Sequence, residues 1–231
     1  MRNGFTLIEI AIVLVIVGLL ISGILIGQSM INTSKIQTFV RQIQQMDVAI
    51  SNYQTRFNGL PGDLQGNKNG VVEDSGANGP LASVNFNNET ANFWLQLNLN
   101  GFDSTKHYTS TITGTFNSDS NNPNAPAFSL GTNGSAIIFA SPPEINLYLI
   151  ADFSAITASN TNMSPSLGYT GPFNAFVYVD GLSLDKKMDD GNVSSGKFKV
   201  AYYNSGSYSA CVQSNPKCYI QMNILSQVGQ Q

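Results

Sequence analysis

No charged residue lies between Glu9 and Lys35, and the run from Ile10 to Ile26 is apolar except at Gly18, Ser22 and Gly23. That length is close to the ~20 residues needed to cross a bilayer's hydrocarbon core, so the run predicts one membrane helix near the start of the chain. Arg2 precedes the run, and basic residues are retained on the cytoplasmic side, which makes the remainder of the chain the exported part. Glu9 stands out, because a carboxylate one turn into an apolar helix is costly in lipid and needs a partner. No basic side chain lies within helical reach of it on the apolar side.

Gly4-Phe5-Thr6-Leu7-Ile8-Glu9, followed directly by the apolar run, resembles the processing motif of type IV pilins and type II secretion pseudopilins. The resemblance implies that a prepilin peptidase cuts between Gly4 and Phe5 and that Phe5 is then N-methylated. It also supplies Glu9 with a partner, the cationic Phe5 amine of a neighbouring subunit, since two opposite charges buried together cost far less than either alone. An ordinary signal peptide fits poorly: its apolar core is about 7–15 residues and its cut follows the core, whereas here the expected cut precedes it.

The function implied is that of a structural subunit, pilin or pseudopilin, of a type IV pilus or type II secretion-like filament, and not an enzyme. Its expected partners are other such subunits, the prepilin peptidase, an inner-membrane assembly platform and, before assembly, membrane lipid. The expected location is the bacterial inner membrane, single-pass, with the N-terminus cytoplasmic and the head in the periplasm or outside, and then an extracytoplasmic filament. The alternative is a signal-anchored extracytoplasmic binding module that is not assembled. The same resemblance divides the chain into a leader (1–4), a long helix (5–58) and a globular head (59–231). Within the helix, 5–28 is the transmembrane or assembly half and 29–58 the amphipathic half.

Beyond the apolar run, Ile36, Phe39, Ile43, Met46, Ile50, Tyr53 and Phe57 recur at spacings of three and four, one stripe on a continuing helix. Asn58-Gly59 and Pro61 form a stop signal, with Asn or Gly able to take a left-handed cap. The stripe suits either a coiled coil or a ridge under a sheet, and the absence of paired flanking charges favours the sheet. Gly18 with Ser22 and Gly23 with Gly27 make two small-xxx-small pairs, which permit close helix approach or are simply tolerated in a span.

After the turn at Leu60 to Asp63 comes a loop rich in Asn, Asp and Gly through Gly66–Gly70 to Gly79-Pro80. Asn88 to Leu99 reads as a short amphipathic helix capped by Asn88, with Trp94 in the core. Thr109–Phe116, Ser135–Ala140, Ile145–Ile150, Asn174–Val179, Lys197–Tyr203 and Tyr219–Leu225 are strand candidates, and Asn117–Ala127 is an exposed loop. The fold class expected is α+β, pilin-like: a long N-terminal helix packed on a C-terminal antiparallel sheet.

Charged residues are 11% of the chain and the net charge is −3, which argues against nucleic acid as a general partner. Asp180, Asp185, Asp189 and Asp190 place four carboxylates in a short stretch after a candidate strand, enough to hold a hard cation such as Ca²⁺. The alternative there is a short helix capped by Ser183 and closed by Gly191, its charges solvated. Gly191 to Lys197 matches most of a phosphate-binding loop, but Phe198 stands where the magnesium-holding hydroxyl belongs. His107, the only histidine, sits in a turn without a catalytic constellation. Cys211 and Cys218 are expected to pair in an oxidising compartment.

Overall fold

The computed structural model describes residues 6–63, 68, 70–72, 88–111, 123–128, 130, 134–141, 144–153, 175–204, 207–215 and 218–223. Helix α1 runs Leu7–Phe57, 51 residues and about 77 Å at 1.5 Å per residue. It ends at Asn58, whose left-handed backbone (φ 52°, ψ 44°) places its N–H on the Gln54 carbonyl and stops the helix. Only the second half of α1 is covered. Its stripe of Ile36, Phe39, Ile43, Met46, Ile50 and Tyr53 is buried under the head, whereas Phe57 is exposed.

The chain turns at Leu60 to Asp63, where Gly62 has φ +87° and a Cβ would run into the Glu89 carbonyl oxygen. That close approach brings α2 (Asn88–Leu99) against the end of α1, and Gln96 Oε1 accepts from both the Gly62 N–H and the Tyr53 hydroxyl. Trp94 is fully buried and donates its indole N–H to the Ala136 carbonyl at 3.0 Å. Its ring lies nearly parallel to Tyr148, at 6.4 Å between centroids.

The head is a five-stranded antiparallel sheet of β1 (Gly134–Ser141), β2 (Glu144–Asp152), β3 (Phe198–Asn204), β4 (Ser207–Ala210) and β5 (Tyr219–Asn223), in the order β1-β2-β5-β3-β4. Register sets Tyr148 opposite Met222 and Ile150 opposite Ile220, with Phe198 and Val200 opposite the same two residues from the other side. All six side chains therefore share one face, and all are buried. The architecture is thus α+β, a long N-terminal helix with a C-terminal antiparallel sheet.

Several expectations need correction. Of Asn174–Val179, Asn174 lies outside the described residues and 175–179 is not a strand: Phe176 makes one isolated antiparallel bridge with Cys218, and the chain then enters α3 (Tyr178–Met188). Phe-Val-Tyr-Val carries strand-like side chains, but the burial of Gly181, Leu184 and Asp185 follows the helical period and decides the segment. A Cβ at Gly181 would lie 2.6 Å from Val200 Cγ1, so the absence of a side chain there lets α3 sit directly on β3. Strand β4 is the second difference, since no candidate strand covers it; it is four residues long and lies at the sheet edge. In Thr109–Phe116 the described residues 109–111 are not in a strand, and 112–116 lie outside the described residues. Also outside them are Gly66-Asn67, Gly79-Pro80, 117–122 and Ile224-Leu225, whereas the described end of the Asn117–Ala127 loop is not exposed: 123–126 are buried and Ala127 bridges to Ser135.

Candidate functional site

Thr6 is the N-cap of α1. Its backbone is extended and its Oγ1 accepts from the Glu9 N–H at 3.4 Å, while Glu9 Oε2 accepts from both the Thr6 N–H and the Thr6 hydroxyl at 2.8 Å. This reciprocal capping box satisfies donors that the first turn leaves open, and it sets an acid against the positive end of the helix dipole. The expected partner of Glu9 is an amine on another subunit; the structure adds a local one. The signal for Thr6 is legible as Thr-x-x-Glu just before an apolar run. Glu9 Oε1 carries no partner among the described residues.

From Leu7 to Ile31, seventeen large apolar side chains of α1 are exposed, Leu7 at 92% and Met30 at 69%. Keeping each from water is worth about 1.5–3 kcal/mol. Together they outweigh the whole stability of an ordinary domain, about 5–15 kcal/mol. This half of the helix is long and apolar enough to cross a membrane.

In the head, α3 leads into Asp189-Asp190-Gly191. One carboxylate oxygen from each of Asp185, Asp189 and Asp190 lies within 4.8 Å of the others. Asp180 is outside this group: five residues before Asp185, it is turned by about 140° around the helix axis. Burial raises its pKa, opposed by the Lys35 ammonium on α1. Asp185 is pushed up too, first by burial and then by the Asp190 and Asp189 charges. Ser183 is not a cap; it lies inside α3 and donates to the Val179 carbonyl at 2.7 Å. Lys186 and Lys187 are exposed.

Cys211 and Cys218, with Cα atoms 6.0 Å apart, are joined as a disulfide that closes the connection from β4 to β5. Both are buried, and each is fixed by backbone bonds, Cys211 to Val200 and Cys218 to Phe176. His107 is exposed, and residues 192–197 form turns leading into β3 instead of a helix, which leaves the phosphate-loop resemblance without its structural context.

The family model that fits the chain covers residues 1–25 and is described as the prokaryotic N-terminal methylation motif. The chain carries this motif. It is the signature of type IV pilins and pseudopilins and supports a pilin-like or pseudopilin precursor, processed by a prepilin peptidase. No curated protein and no solved structure matches the chain. Within the methylation motif, Gly4 and Phe5 flank the expected cut and lie outside the described residues, whereas Thr6 and Glu9 form the cap just described. The apolar segment of the motif coincides with the exposed half of α1, consistent with membrane anchoring.

Proposed function

We propose that the chain is a filament subunit, cut between Gly4 and Phe5, N-methylated at Phe5 and drawn from the inner membrane into a helical fibre by the exposed half of α1. Its contribution is packing and not catalysis. The observation that carries this is the division of one continuous helix: the head covers the stripe from Ile36 onward, while every large apolar residue from Leu7 to Ile31 is left for lipid or for neighbouring helices. Gly18, Ser22, Gly23 and Gly27 lie in that half and permit close approach of backbones. Glu9, oriented by Thr6, meets the Phe5 amine of the next subunit and sets axial register. The exported head, polar and weakly charged, faces outward as a pilin or secretion pseudopilin surface.

Glu9→Leu tests the role of the acid. It makes the helix more apolar, so insertion into the membrane is retained, and incorporation into filaments falls at least tenfold. Normal filament yield from Glu9→Leu protein would refute the role. Replacing Gly4 leaves an uncut precursor, seen as an unshifted mass.

A further inference from the structure

Asp185 has no solvent exposure, and neither of its carboxylate oxygens has a hydrogen-bond partner. A buried carboxylate is normally paired or bound to a metal, because desolvation penalises an isolated charge heavily. Its neighbours make the problem worse, since one carboxylate oxygen from each of the acids Asp189 and Asp190 lies within 4.8 Å of one from Asp185. The fold nevertheless holds these two in place. Asp189 Oδ2 accepts from the Phe198 N–H at 3.0 Å, Asp190 Oδ1 from the Asn192 N–H at 2.8 Å, and Asp190 Oδ2 from the Ser195 hydroxyl at 3.0 Å. Each bonded oxygen keeps a second lone pair, and Asp189 Oδ1 and both Asp185 oxygens keep all of theirs.

We propose that Asp185, Asp189 and Asp190 form a site for one hard divalent cation of the calcium class at the C-terminal end of α3. The donors are all carboxylate oxygens, the set that hard cations prefer and softer metals do not. The oxygens lie within 4.8 Å of one another, a span that a calcium ion bridges. Calcium–oxygen distances of about 2.3–2.6 Å put opposite ligands about 5 Å apart, against about 4 Å around magnesium. The place is favourable too, because the negative end of the α3 dipole points at a cation bound there. Such an ion pairs the buried Asp185 and ties the end of α3 to the start of β3 through Asp189 and Phe198. This inference goes beyond the filament reading, and the two stand or fall separately.

Full-length protein in detergent, stripped with a chelator, is dialysed to equilibrium against CaCl₂ and melted with and without it. The expected result is one calcium per chain, half-saturating at about 10⁻⁴ to 10⁻³ M, the range of extracellular modules. Saturation raises Tm by several degrees. Asp185→Asn removes the uptake and the calcium-dependent rise, while its metal-free Tm equals or exceeds that of the metal-free wild type, because the unpaired charge is gone. Asp190→Asn, at an exposed position, weakens uptake at least tenfold and serves if Asp185→Asn does not fold. No saturable binding by wild type up to about 10 mM CaCl₂, well above that range, would overturn the proposal. So would undiminished binding by either folded variant, or equal affinity for MgCl₂.

Discussion

Asp47 lies on the covered half of α1, where the Tyr148 hydroxyl of β2 donates to its Oδ1 at 3.2 Å. Burial pushes its carboxyl up to about 6, against the weaker downward pulls of that hydrogen bond and of Lys197. The folded chain therefore holds the proton more tightly than the unfolded one. Asp47 favours folding below about pH 4 and loses that contribution as the pH rises through about 6. Over this window the loss is about 2–3 kcal/mol. Asp47→Asn cannot ionise yet still offers an oxygen to Tyr148. Urea unfolding should find it about 2 kcal/mol more stable than wild type at pH 7 and about equal at pH 4. A difference that does not change with pH would show that Asp47 does not titrate in this way. Glu9 is legible in the sequence because its whole context is local, an acid with Thr6 three residues before it and lipid-length apolar sequence after it. The isolation of Asp185 is not, since it follows from α3 lying on β3.

Helix α1 is one element with two environments, and the change from an all-round apolar run to apolar residues spaced by threes and fours marks the division in the sequence itself. Phe39 is fully buried, with Phe128 at 4.8 Å and Phe176 at 6.0 Å between ring centroids, whereas Leu14 is 66% exposed. Truncating Phe39 to alanine is expected to cost the head about 3–5 kcal/mol. Leu14→Ala should change its stability by less than about 0.5 kcal/mol and act only on assembly. Chemical denaturation of both variants in detergent checks this, and comparable losses from the two would mean that the halves are not independent. Elsewhere the periodic signal is too short to decide. Ala175 to Val179 has strand-like composition over a few residues, and only tertiary burial of Gly181, Leu184 and Asp185 makes the following turns helical. Strand β4, Ser-Tyr-Ser-Ala, carries little apolar pattern because it pairs along only one edge, with β3.

At the scale of the molecule, a head that folds over half of a helix about 77 Å long presents the other half as a surface no water-exposed protein could keep. Class and architecture are legible in the sequence because they rest on long patterns, one helix and several short strands. The strand order β1-β2-β5-β3-β4 is not, because inserting β5 between β2 and β3 depends on pairing between residues far apart in sequence. Filament assembly depends on the leader being removed so that a charged terminus can meet Glu9 of a neighbour. The direct measurement is the mass of the N-terminal peptide from protein made in cells that contain the processing peptidase. The expected result is a chain beginning at N-methylated Phe5, with Met1 to Gly4 gone; an intact Met1 would contradict it and leave a tethered extracytoplasmic domain.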